Sequence, residues 1–171
     1  MGKFKGINHL ALVTGDMDKT TKFYRDILGM DLVATIGGEL AGEPMRHYFF
    51  KCGDGTTIAF FEWDGVKAEH KPAGLPARGA VQFDHLSLNV EDEEALLALK
   101  AHLGSHGVDV TRVVDHDFIR SIYFTDPNGI ALEASYWVRD ATASENPTQD
   151  TSLFKDPNPV PSVQAVASVD R

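Results

Sequence analysis

The chain opens on alternation. In residues 7–13, Leu10 and Leu12 point one way and Ile7, His9, Ala11 and Val13 the other, as in a strand with one buried face. Asp16 follows as a helix N-cap. Met17, Thr20, Tyr24, Ile27 and Leu28 then recur at helical spacing, with Phe23 alongside, and Gly29 suits the residue just past the helix end. Residues 30–36 predict a short strand, and residues 37–44 a loop. Residues 46–51 predict a strand with His47 and Phe49 on one face and Tyr48 and Phe50 on the other. The Gly53-Asp54-Gly55 turn leads into a further strand over 56–61. Residues 67–79 carry Pro72, Gly74, Pro76 and Gly79 among charges, with no periodicity. They read as a crossing segment.

The same order then returns. Asn8-His9-Leu10-Ala11 matches Asp84-His85-Leu86-Ser87, an offset of 85 − 9 = 76 residues. A strand over 83–90 precedes an acidic helix start, Glu91 to Glu94, which suits the positive end of a helix. Leu96, Leu99 and Leu103 form its buried stripe, with Leu97 flanking, and Gly104 and Gly107 end it. Residues 108–114 predict a strand. Last comes a strand pair, 121–124 and 130–133, joined by Asp126-Pro127-Asn128-Gly129, whose residues suit a tight turn.

Superposing the halves sets Gly55 on Gly129, Phe49 on Tyr123, His47 on Ser121 and Ala59 on Glu133. The expected organisation is a βαβββ module over 5–64, a linker over 65–80, a second module over 81–139 and a Pro-rich tail over 140–171. Each half is too small to bury a good core alone, so the two should associate.

Glu133 is the candidate for chemistry. It stands on an apolar, alternating strand, where a carboxylate is costly to bury without a positive partner. His9 and His85 lie at matching places on the first strand of each half.

The paired βαβββ order, the HLALVTGDMDKTTKFYRDILGM stretch and the SIYFTDPNGIALE run together resemble the vicinal oxygen chelate superfamily, over roughly residues 5–138. The resemblance implies an α+β fold of paired βαβββ modules forming an open, cup-shaped mixed sheet. It implies a divalent metal held by His9, His85 and Glu133. Ala59 occupies the fourth position, often a glutamate in glyoxalase I-like members, and Glu62 faces away from it by strand parity.

Two imidazoles and one carboxylate leave an octahedral ion half open, as in non-haem Fe(II) oxygenases. The resemblance therefore points first to Fe(II) and a ring-cleaving, extradiol-like dioxygenase acting on a catechol-like diol. Mn(II), Ni(II) and Zn(II) are the alternatives. In that reading Tyr123 donates a hydrogen bond at the metal, His116 shuttles protons, and His47 stands in for a family histidine absent at Gly55 and Thr56. The other readings are a lyase, isomerase or thiol transferase of the glyoxalase or fosfomycin-resistance kind, and a metal-free binding protein. Against the fosfomycin-resistance case, Ala11 stands where a catalytic threonine is expected.

Composition narrows the partners. The net charge is −9 over 171 residues, with no basic stripe, which argues against nucleic acid. No apolar run approaches the roughly 20 residues that span a bilayer. Cys52 is the only cysteine, so no intrachain disulfide forms, which with the absence of a signal-like start suggests the cytoplasm. It reads as a small side chain beside a turn. A small-molecule substrate and a homodimer are expected, the latter from the family and the tail, which holds four of the eight prolines. His70, His102 and His106 are expected to face solvent, Arg120 to be structural, and Phe49 and Phe61 to form an apolar wall.

Overall fold

The structure, a computed structural model, describes residues 6–79, 83–143 and 151–163. Strand β1 (His9–Thr14) is followed by helix α1 (Met17–Thr21), which continues as π-helical turns over Lys22–Ile27. Then come β2 (Leu32–Leu40), β3 (Glu43–Gly53) and β4 (Thr56–Glu62). The second half supplies β5 (Leu86–Asn89), α2 (Glu93–Ser105), β6 (Val114–Asp115), β7 (Ile119–Thr125) and β8 (Ala131–Trp137). The sheets order as β1-β4-β3-β2 and β5-β8-β7-β6. In each, the first strand runs parallel to the last and the others are antiparallel. Both sheets are open and mixed, and β1 and β5 are edge strands.

Alternation sorts the faces. Ile58 and Phe60 of β4, Ile122 and Phe124 of β7, and Leu132 and Ala134 of β8 pack into one core with Phe23 and Tyr24 of the first helix and Leu96 and Leu103 of α2. Each fully buried large side chain contributes about 1.5–3 kcal/mol. Tyr24 is fully buried, its ring 4.9 Å from Phe60, and Phe23 of the first half meets Phe124 of the second at 6.5 Å. The halves share a core through their helices. The opposite sheet faces carry His9, Ala11 and Val13 in the first half and His85, Ser87 and Glu133 in the second.

A buried polar network reinforces the junction. The Thr14 hydroxyl lies 2.8 Å from that of Thr20 and donates to Asn128 Oδ1 at 2.7 Å. Asn128 Nδ2 donates to Thr20 and to Asp126 Oδ2, which also accepts from the Tyr24 hydroxyl at 3.1 Å. The Asp126–Gly129 turn of the second half is thus bonded to the first helix.

Several expectations hold. The Asp16 side chain caps α1 by accepting from Lys19 N at 2.9 Å, and Gly29 takes a φ of +72°. Three are corrected. Residues 37–44 are not a loop: β2 runs to Leu40, and only Ala41 and Gly42 turn, both with positive φ. The two glycines lower strand propensity, but pairing of Gly37 with Arg46 and Gly38 with Met45 overrides it. Residues 108–114 are not a strand: only Val114–Asp115 pairs with β7, while Val108, Val110 and Val113 pack against the core from irregular backbone. The strand expected from residue 83 starts at Leu86, leaving His85 just ahead of it. Residues 144–150 and 164–171 of the C-terminal tail lie outside the described residues. Within 151–163, Lys155 pairs with Asp117.

Candidate metal centre

The superposed register carries over into the sheets. Ala59 pairs with Ala11 on one side and Phe49 on the other; Glu133 pairs with Ser87 and Tyr123. Ala59 and Glu133 therefore hold equivalent places, and only the second half brings a carboxylate there.

Glu133 is only 5% exposed. Its Oε2 lies 2.9 Å from His85 Nε2. The other nitrogen of that ring, Nδ1, is 2.6 Å from Asp84 Oδ1. A carboxylate only accepts, so Nδ1 carries a proton and Asp84 turns Nε2 toward Glu133. Asp84 is held in turn by the Ala77 backbone N–H and by Lys71 Nζ, 3.2 Å from its Oδ1. These donors keep its carboxyl well below the usual range, the Ala77 N–H first and His85 next. In the first half His9 repeats the device: its Nδ1 is 2.9 Å from Asn8 Oδ1.

Tyr123 stands beside this pair, its ring edge-on to His85 at 5.8 Å. Its hydroxyl is 2.9 Å from His116 Nε2. Burial, followed by the Glu133 charge, raises the pKa of that phenol above its ordinary value. His116 is exposed and sits on the turn between β6 and β7. His85, His116, Tyr123, Lys71 and Leu75 line a cavity of about 210 Å³. The crossing segment roofs it: Lys71 N donates to Gly129 O, and Thr125 Oγ1 donates to Lys71 O. Gly74, with φ +70°, lies close enough that a Cβ would meet the Tyr123 ring at 3.4 Å.

His9 and His47 belong to the other sheet. His47 Nδ1 donates to Phe60 O at 3.1 Å, and its ring stacks on Phe61 at 3.6 Å and 7°. Phe49 lies between the two histidine rings, 6.0 Å from His9 and 4.2 Å from His47. Phe49 and Phe61 each pack on the His47 ring, and Trp63 stacks on Phe61 at 5.9 Å. Among the described residues no hydrogen bond joins His47 to Tyr123 or His116. A larger cavity of about 560 Å³ opens beside Arg46, Glu62 and Trp63. Two of its charged groups are engaged structurally: Glu62 accepts from Met17 N at 2.7 Å, at the start of α1, and pairs with Arg46. Arg120 is likewise engaged, with Asp115 at 3.1 Å and the Tyr136 hydroxyl at 3.2 Å. Cys52 sits half-buried on β3, and burial raises its thiol.

The donor set of the second sheet fits a divalent ion, since a buried carboxylate and an oriented imidazole already touch. Among the described residues, no three His, Cys, Asp or Glu side chains of one chain gather closely enough to hold one. His9 stands on the first sheet, apart from this pair. Two features of this region escaped the sequence reading: the orienting roles of Asn8 and Asp84, and the roof over Tyr123. The first had a signal, the polar residue before each repeated histidine.

Residues 6–134 match the family model described as "Glyoxalase/Bleomycin resistance protein/Dioxygenase superfamily". The chain is 28% identical over 137 residues to metallothiol transferase FosB of Staphylococcus epidermidis, covering 75% of this chain and 81% of that one. It is 27% identical over 129 residues to MhqO of Bacillus subtilis (strain 168), a protein provisionally named a ring-cleaving dioxygenase. That match covers 75% of this chain but only 37% of the relative. The crystal structure of a glyoxylase/bleomycin resistance protein/dioxygenase domain from Frankia sp. EAN1pec is similar at a TM-score of 0.64 and 25% identity, over 79% of this chain and 99% of that one.

Proposed function

The chain belongs to the glyoxalase/bleomycin resistance protein/dioxygenase superfamily, and on that footing we propose that it is a metal-dependent enzyme, first of all a ring-cleaving dioxygenase of the extradiol kind. His85, Glu133 and His9 would hold the ion, with Fe(II) the first choice. Bound there, the ion supplies Lewis acidity and, if iron, redox chemistry toward a vicinal diol and dioxygen.

The observation that carries this reading is the contact between His116 and the Tyr123 hydroxyl beside the His85–Glu133 pair. The phenol is kept protonated by burial and by Glu133, so it donates a hydrogen bond to an anionic substrate oxygen. His116, at the cavity mouth, takes a proton from the diol as it binds and returns it to the product. Phe49 and Phe61 offer a flat apolar wall for an aromatic ring, with His47 held against it.

The third ligand comes from the other sheet. We propose that a second copy of the chain brings its first sheet to this one's second sheet, so that a homodimer completes two sites. Exposure of Val13 (48%) and Ile36 (49%) supports a covered face there.

A thiol transferase is the second reading. FosB is the reason: this chain spans 81% of it but only 37% of the dioxygenase-like relative.

Elemental analysis after anaerobic purification, on the wild type beside His85→Ala, separates these. Stoichiometric iron that is lost in the variant, with oxygen uptake on catechols, supports the dioxygenase. Manganese, nickel or zinc with no oxygen uptake moves the assignment to the transferase or lyase. A metal-free protein after supplementation with all four ions overturns the metalloenzyme.

A further inference from the structure

His102 and His106 lie one helical turn apart at the end of α2, both exposed and far along the chain from every candidate ligand described above. Their ring centroids are 4.4 Å apart, tilted by 48°. His102 Nε2 is 2.9 Å from the Ile27 carbonyl, at the end of the first helix. His106 Nδ1 is 2.9 Å from the His102 carbonyl. A carbonyl can only accept, so each of these nitrogens carries the ring proton. In the neutral rings, His102 Nδ1 and His106 Nε2 are then bare lone pairs. An imidazole whose N–H is tied to a carbonyl is the form in which histidine ligates metals.

We propose that this pair is a second, independent metal site, a two-histidine chelate for a first-row divalent ion of the copper, nickel or zinc class. The spacing agrees with the chemistry. With metal–nitrogen bonds of about 2.0–2.1 Å, each centroid stands about 3.2 Å from the ion, and two ligands at a right angle place the centroids about 4.5 Å apart. Water fills the remaining positions. Copper(II) binds such nitrogen sites most tightly in the series. The bond from His102 to Ile27 puts the ion where the helices of the two halves meet, so binding raises the thermal stability of the fold.

Copper(II) titration of the full chain tests the site, with His85→Ala as the background that removes a ligand of the other centre. The expected result is one copper per chain, with two nitrogen couplings in its electron paramagnetic resonance spectrum and an upward shift in Tm. Adding His106→Ala leaves the Ile27 bond in place. It should weaken copper by at least about tenfold, since losing an outer-shell partner alone typically costs that much, and should leave one nitrogen coupling. His102→Ala should do the same. Equal copper affinity with and without His106, or no copper bound in His85→Ala, overturns the proposal. Failure of the other centre reads out separately, as identical metal content in wild type and His85→Ala.

Discussion

Glu133 is a buried carboxylate on a strand whose six residues from Ala131 to Tyr136, itself included, are all buried. Without an ion it is a cost to the fold, met by one imidazole. Glu133→Gln should therefore abolish metal retention and yet leave the apo protein at least as stable, with Tm unchanged or raised by a few degrees, corresponding to about 1 kcal/mol. A thermal scan of chelator-treated wild type and variant checks this. A clear drop in the variant's Tm would mean that the carboxylate is structural. Asp84 gives the complementary case. Asp84→Ala frees the His85 ring and should weaken metal binding by roughly 10–100-fold. Asp84→Asn, which reproduces the Asn8 arrangement of the first half, should lose far less. Competition with a coloured chelator reads both. At this scale the sequence was informative for Glu133, His85 and Tyr123, because strand parity places them. It was silent on Lys71 and Gly74, which reach the site from a stretch without periodicity.

The Asp126–Gly129 turn does more than join β7 to β8. It docks on the first helix through Asn128 and Asp126. Asn128→Ala would remove the acceptor of the Thr14 hydroxyl and the amide donor to Asp126, leaving Thr14 and Thr20 bonded to each other and to Asp16, at a cost of about 0.5–1.5 kcal/mol. Urea unfolding measures this, and a loss under about 0.5 kcal/mol would show that water replaces the amide. Burial is the main cause that raises the Asp126 carboxyl above 3.8, against the lowering by its N–H partners. The folded state then holds this proton more tightly than the unfolded one. The Asp126 contribution to stability is greatest below 3.8 and declines as pH rises through the raised folded value. Asp126→Asn should flatten that part of the stability–pH curve, and a slope equal to wild type across the window would contradict the assignment. Turn chemistry made this turn readable from Pro127, Asn128 and Gly129. Its tertiary role was not, because Thr14 and Asn128 are 114 residues apart. The β2–β3 hairpin was missed for a related reason: glycine content signals a loop locally, whereas cross-strand pairing decides.

The two halves meet through their helices, which turns the faces bearing His9 and Glu133 to the outside of a shared core. Repeat and parity let both half-sites be read from the chain, but not whether they meet within one molecule, since that depends on how modules dock. Complementation decides it. His9→Ala and Glu133→Ala should each lose the metal. Unfolded, mixed in equal amounts and refolded, they should recover about one quarter of the wild-type metal if sites form between copies. Half of the dimers are then mixed, and each mixed dimer contains one intact site made of the native His9 of one chain and the native His85 and Glu133 of the other. If one chain supplied all three ligands, every chain in the mixture would carry a defect and recovery would be nil. Such a dimer would make metal retention depend on protein concentration, because dilution would separate His9 from the carboxylate. Metal content that is constant across dilution below the dissociation midpoint, with no recovery on mixing, would place the whole centre within a single chain.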